Sequence, residues 1–399
     1  MDAASVLLVV ALIAGLYMAW SIGANDVANA MGTSVGSHAL SIGQAIFVAA
    51  VFEFIGAFFI GGHVTTTIRE GIVDPATFMG DPIGFAGGMT AALIATAAWL
   101  QFASFKGLPV SGTHSIIGAV VGFGIVSGGV DAVQWEELGN IVVSWFVSPL
   151  VGGVIAFLTF FIIRRFILDS ATPLLMTRRL APFMLFVVVA TVSFVFLSTE
   201  IALALALLSG LLATWLVRNL TERTASRDEI LAKVERVFAW LQIVTACFMA
   251  LAHGSNDVSN AIGPVAAVVS VVTNQGIQAT SQVPMWLLAF GGVGIVLGLA
   301  TYGRKVIETI GKGITEITPT RGFAAEFGAA FTILVGSYIG LPLSTTQVLV
   351  GAVIGVGLAR GIAGLNVAVI RRIAMSWLIT IPTTGAISAV LCYVWHLIR

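Results

Sequence analysis

Long runs of apolar residues, broken by a few dense polar clusters, set the pattern of this chain. Residues Ile141 to Ile163 and Ala181 to Leu197 contain no charge and approach the ~20 residues that a helix needs to cross a bilayer. Apolar positions do not alternate in ten-residue segments, which excludes a β-barrel. Within lipid the backbone must pair with itself, so the remaining solution is a set of helices. The predicted fold class is an all-α polytopic membrane protein.

The chain also repeats itself. GANDVANAMG at Gly23 to Gly32 returns as GSNDVSNAIG at Gly254 to Gly263, identical at seven of ten positions. GLPVSGTHSIIGAVVG from Gly107 returns as GLPLSTTQVLVGAVIG from Gly340, identical at nine of sixteen. The offsets are 231 and 233, and Trp145 with Pro149 and Trp377 with Pro382 add a third, weaker pair. Repeat A is assigned to residues 1–165, a central linker with two transmembrane helices and a short loop to 166–236, and repeat B to 237–399. Five segments per repeat and two between them give about twelve, with residues 84–128 and 322–358 either fully spanning or re-entrant hairpins, in which case the GLP breaks are their tips.

Charge orients the copies. Cytoplasmic loops collect Lys and Arg. Met1 to Ser5 has none, whereas Arg218 to Arg236 before the second motif holds five. The acidic stretch Asp131, Glu136 and Glu137 ahead of Trp145 corresponds to Arg360, Arg371 and Arg372 ahead of Trp377. The segment with Arg69, Glu70, Asp74 and Asp81 sums to −2, and that with Arg304, Lys305, Glu308, Lys312, Glu316 and Arg321 to +2. Each contrast predicts inverted topology, with both termini outside and residues 218–236 in the cytoplasm. Inverted repeats are typical of secondary transporters.

Composition agrees: 58% of 399 residues are hydrophobic and 10% charged, with no net charge, against roughly 25% charged in soluble domains. No basic block offers nucleic acid a footprint. Met1 to Ser5 lacks the positive start of a cleaved signal peptide. Cys247 and Cys392 lie in apolar runs without metal or redox spacing and read as small hydrophobes.

The polar clusters carry the chemistry. A charge at mid-helix costs about 2.5–3.5 kcal/mol on insertion scales, yet each first motif holds an Asp between amides. Asn25, Asp26 and Asn29 match Asn256, Asp257 and Asn260; at i, i+1 and i+4 a helix puts the two Asn on one face, with the Asp beside them. The flanking glycines are expected to let the helix unwind and free carbonyl oxygens. Carboxylate, amide and carbonyl oxygens suit a hard cation such as Na⁺; the plainer reading is a polar contact between helices. In the second motif Gly-Leu-Pro ends one helix, and Ser111, Gly112 and Thr113, or Ser344, Thr345 and Thr346, open the next. Its free N–H groups and hydroxyls make an anion site, unless Ser and Thr simply cap a kink. Ser111 and Ser344 are assigned to both ions; Asp26 and Asp257 likewise face both. Glu53 and Glu326 read as pathway residues or buried pairs, His63 and His114 as packing residues, and Lys106 as a loop lysine. His253 abuts the second motif and can line the site.

These motifs resemble the signature of the inorganic phosphate transporter (PiT) family, carried here by GANDVANAMGTSVGS from Gly23 to Ser37 and by its second copy. The resemblance covers both repeats. It implies symport of inorganic phosphate with Na⁺ in many members, with H⁺ or as metal–phosphate complexes in others, and sulfate in some relatives. It further implies a homodimer in the cell membrane and no cofactor besides co-transported sodium. The link between repeats is short, without the large cytoplasmic domain of some eukaryotic members. A channel lined by the same motifs, and an intramembrane hydrolase using Asp26 and Asp257 as a dyad, fit less well. No nucleotide-binding fingerprint supports ATP-driven pumping, and the chain is read as a transporter and not an enzyme.

Overall fold

The computed structural model describes residues 3–106, 110–220, 226–274, 276–277, 282–304, 307, 317–361 and 367–398. It is helical throughout these residues, with a lone bridge between Val73 and Val133 as their sole β-type pairing. Repeat A contributes α1 (Ala3–Gly36), α2 (Ile42–Ile60), the short α3 (Gly62–Glu70), α4 (Pro82–Phe105), α5 (Gly112–Gly128) and α6 (Trp135–Ile163). Next come α7 (Pro173–Phe196) and α8 (Thr199–Val217), which pair with each other. The second half contains α9 (Arg227–Asn274), α10 (Met285–Gly298), α11 (Pro319–Tyr338), α12 (Thr345–Arg360) and α13 (Val367–Ile398).

Among the described residues nine helices are long and apolar enough to cross a membrane. The shorter α5 and α12 and the 20-residue α11 are further helices of the bundle, against about twelve segments expected. Leu203, Leu207, Leu208, Leu211 and Leu212 of α8 are exposed, an apolar face that belongs against lipid. The 48 residues of α9 span about 70 Å at 1.5 Å each. Charged residues 227–236, expected in the linker, are therefore the first turns of the helix that carries the second motif.

Backbone-to-backbone packing explains much of the glycine. A Cβ built on Gly23 would lie 1.9 Å from the Ile295 carbonyl oxygen, and one on Gly254 2.1 Å from that of Glu53. Gly298 against Trp20 and Gly56 against Leu251 complete these contacts at 1.9 and 2.0 Å. So α1 lies on α10 as α9 lies on α2. The same exchange joins α5 to α13 through Gly122 and Gly385, and α12 to α6 through Gly355 and Gly153. Small residues that let helices touch are how membrane helices associate without a hydrophobic drive.

This packing corrects one expectation. Both motif helices run unbroken through Asn25–Asn29 and Asn256–Asn260, so Gly23, Gly254 and Gly263 serve close approach and free no carbonyls there.

Candidate functional site

The two motif helices bring their carboxylates together. Asp26, His253 and Asp257 are all buried, and each offers a ligand atom within 4.8 Å of the others. His253 Nε2 stands 2.9 Å from Asp257 Oδ2 and its Nδ1 3.1 Å from Glu53 Oε1, so each ring nitrogen faces a carboxylate. Asn29 donates to Asp26 Oδ1 at 3.3 Å. Asn256, Asp257 and Asn260 are buried, and the Oδ1 atom of each has no hydrogen-bond partner among the described residues. Buried acceptors are seldom left so, and three oxygens of this type suit a hard cation.

The second motifs close on the same point. Ser111 and Ser344 are the N-caps of α5 and α12, each accepting from the backbone N–H three residues on, at 3.3 Å. Both short helices thus begin beside the carboxylates: an added Cβ on Gly112 would come 3.7 Å from Asp26 Oδ2, and Thr345 Oγ1 donates to Asp257 Oδ2 at 3.0 Å. Cross-repeat bonds are reciprocal, Asn29 Nδ2 to Thr346 Oγ1 at 2.8 Å and Asn260 Nδ2 to Thr113 Oγ1 at 3.3 Å. Two helix N-termini, with their positive dipole ends, therefore converge where an anion gains most.

Four consecutive carbonyls in the break before α12 are held by four different helices. Thr67 of α3 donates to Gly340 O at 2.7 Å and Asn256 of α9 to Leu341 O at 3.2 Å. Trp145 of α6 donates to Pro342 O at 3.1 Å and Thr113 of α5 to Leu343 O at 2.9 Å. Gly340 sits at φ +79°, a left-handed turn that glycine adopts without steric cost. Gly107, Leu108 and Pro109, expected as the other tip, lie outside the described residues.

Comparison with known proteins identifies the family. The model of the phosphate transporter family matches residues 22–388. The chain belongs to the phosphate transporter family. Its similarity to a Pyrococcus furiosus protein that bears the name phosphate permease is 45% identity over 393 residues, 96% of this chain and 95% of that one. Inorganic phosphate transporter 2-1 of Arabidopsis thaliana, a chloroplastic protein, is 45% identical over 418 residues, covering 96% of this chain and 71% of its own. A solved structure, the sodium-dependent phosphate transporter, superposes with a TM-score of 0.92 at 40% identity, over 99% of this chain and all of that one.

Within this phosphate transporter fold the sequence-predicted residues separate into two groups. Asp26, Asn29, Gly112, Thr113, Asp257, Asn260, Thr345 and Thr346 are brought together by the contacts above, while the side chains of Ser111 and Ser344 cap their own helices beside them. Asn25 stands apart: half-buried, it donates to Ser21 O of its own helix at 3.0 Å, whereas its counterpart Asn256 donates to Ser337 Oγ at 3.1 Å. The hydroxyls of Thr113 and Thr345, expected as free donors, are engaged with Leu343 O and Asp257. Glu53 pairs with His253; His114 packs at 4.0 Å on the Trp145 ring, and His63 at 5.8 Å on Tyr338. Lys106, at the end of α4, lies 6.0 Å over the Phe102 ring. Thr67 and Trp145 escaped the sequence reading as holders of the site; for Trp145 the available signal was its recurrence as Trp377 near the repeat offset.

Proposed function

We propose that this chain carries inorganic phosphate across the membrane together with Na⁺, by alternating access. The observation that supports the reading best is the cluster of two buried carboxylates with unpaired amide oxygens at the mouths of two N-terminal half-helices. Neighbouring carboxylates repel, and a bound cation relieves that repulsion while offsetting the charge of the anion. In this reading Asn25, Asp26, Asn29, Ser111, Asn256, Asp257, Asn260 and Ser344 supply sodium ligands. Phosphate oxygens accept from the N–H groups of Ser111, Gly112, Thr113, Ser344, Thr345 and Thr346 and from the Ser and Thr hydroxyls, those of Thr113 and Thr345 turning from Leu343 O and Asp257 to do so. Asp26 or Asp257 accepts the proton that hydrogen phosphate still carries. Residues 1–165 and 237–399 act as inverted repeats about the linker, in a homodimer of the cell membrane with both termini outside. The sodium-dependent character of the similar solved transporter supports the choice of ion.

His253, set between Glu53 and Asp257, favours one second reading, phosphate movement coupled to a proton. Uptake of labelled phosphate into proteoliposomes separates the two. An inward Na⁺ gradient at equal pH is expected to drive accumulation. Accumulation driven by a pH gradient and indifferent to Na⁺ would replace sodium with the proton.

A further inference from the structure

His114 of α5 and Gln347 of α12 occupy the same place in the two repeats, at an offset of 233. Each is the third residue of its half-helix, and its backbone N–H is the one bonded to the N-cap serine, Ser111 or Ser344. The residue before each, Thr113 or Thr346, accepts the cross-repeat bond from Asn260 or Asn29. Both side chains are buried, at 2% and 5% exposure, and the Gln347 carboxamide faces the His114 ring. Yet neither ring nitrogen of His114, nor Oε1 of Gln347, has a hydrogen-bond partner among the described residues.

Packing alone does not account for this pair. The imidazole lies with its centroid 4.0 Å from that of the Trp145 ring and 6.4 Å from that of Trp377. Two indoles ask only for an apolar disc, which phenylalanine supplies without unpaired nitrogen. Buried polar atoms are rarely left without a partner, because each then keeps its full desolvation cost. A neutral imidazole carries one donor and one acceptor, and a carboxamide carries both, so the two groups are complementary to each other. The helices that bear them meet with like ends, since two N-termini are two positive dipole ends and repel. An anion between them removes that repulsion and draws both inward.

We propose that His114 and Gln347 are positioning residues that hydrogen-bond to each other only when an anion draws the two half-helices together. The pair touches no substrate. It fixes the distance between the N–H groups that open α5 and those that open α12, and so fits the two sets around one tetrahedral oxyanion. Because the bond belongs to the loaded protein, it adds to anion affinity and contributes nothing to the stability of the free protein, in which both groups stay unpaired. This role rests on the reading of the half-helix N-termini as the phosphate site.

The test measures binding of labelled phosphate to the purified full chain in detergent at saturating Na⁺, and thermal unfolding of the same protein without phosphate. His114→Phe keeps a ring between the tryptophans and Gln347→Met keeps the length of the side chain; each removes the hydrogen-bonding atoms. Each is expected to weaken phosphate binding by about tenfold, the weight of one hydrogen bond, while the phosphate-free protein unfolds at the wild-type temperature or above. The double variant should lose no more than either single one, because the two groups act as one contact. Exchanging the residues, His114→Gln with Gln347→His, should restore the affinity, and this exchange decides the matter if a single variant fails to fold. Wild-type affinity in both single variants, additive losses in the double, an exchange that binds no better than the singles, or an unfolding temperature that falls along with affinity would each overturn the pair and leave the phosphate site standing. Wild-type protein that binds no phosphate would overturn both.

Discussion

Alanine at Gly254 should damage this protein far more than alanine at Gly32, although both belong to copies of one motif. A Cβ at Gly254 would lie 2.1 Å from the Glu53 carbonyl oxygen, which is backbone and cannot rotate aside. Reaching an ordinary contact of 3.4 Å requires α2 and α9 to part by roughly 1.3 Å at that level, since the two helices have no softer neighbour to displace. The same movement stretches the 3.1 Å approach of His253 Nδ1 to Glu53 Oε1 beyond hydrogen-bond range. Overpacking costs typically 1–3 kcal/mol and a lost bond to a charged group about 1.5–3 kcal/mol. Better helix propensity returns only about 1 kcal/mol, so a net loss of roughly 1.5–5 kcal/mol is expected. Gly32 has no atom within 4 Å of an added Cβ, and alanine there should stabilise by about 0.4–1 kcal/mol. Thermal unfolding in detergent, followed by tryptophan fluorescence, reads both, with phosphate uptake as the functional measure. A Gly254→Ala protein as stable and active as wild type, or a Gly32→Ala protein equally damaged, would refute the close-packing account.

Further outcomes follow from the central cluster and the loops. Asp26→Asn and Asp257→Asn keep shape and remove charge, so each should weaken the Na⁺ response of uptake more than it lowers stability; a full-strength response in both would remove these carboxylates from cation binding. Arsenate should compete with phosphate well and sulfate poorly, because a site that accepts a substrate proton can reject an analogue lacking it by roughly 10⁴-fold; equal competition by sulfate would point to a general oxyanion carrier. Cysteine placed at Ser226, just before α9, should be labelled by impermeant reagent from the cytoplasmic face alone, and labelling from outside would refute the inverted arrangement.

The helical fold was legible because lipid leaves few alternatives, and the repeats because whole motifs recur. The pairing of the two Asp residues was legible as chemistry, since a charge amid amides in an apolar run needs a reason. What periodicity does not encode is which helix meets which. The meeting of His253 with Glu53, 200 positions away, depends on the α2–α9 crossing that Gly56 and Gly254 permit. The glycines of the motif were read as points of unwinding, because one sequence cannot distinguish a flexible glycine from one pressed against a neighbouring carbonyl. The junction around Glu326 draws on α1, α9 and α11 together, a meeting of helices that spacing along the chain does not encode.

The four helices that hold Gly340 to Leu343 do so by carbonyl oxygens, and every residue type has one. A mutational scan of that segment will therefore understate its importance, because exchanging Leu341 or Leu343 leaves the oxygen in place. Sensitivity should appear instead at Thr67, Thr113, Trp145 and Asn256, spread over nearly 200 positions of sequence. At about 0.5–1.5 kcal/mol per bond, no single loss frees the segment, while paired losses compound. The genetic signature of this break is thus synthetic: mild single variants in distant helices whose combinations fail.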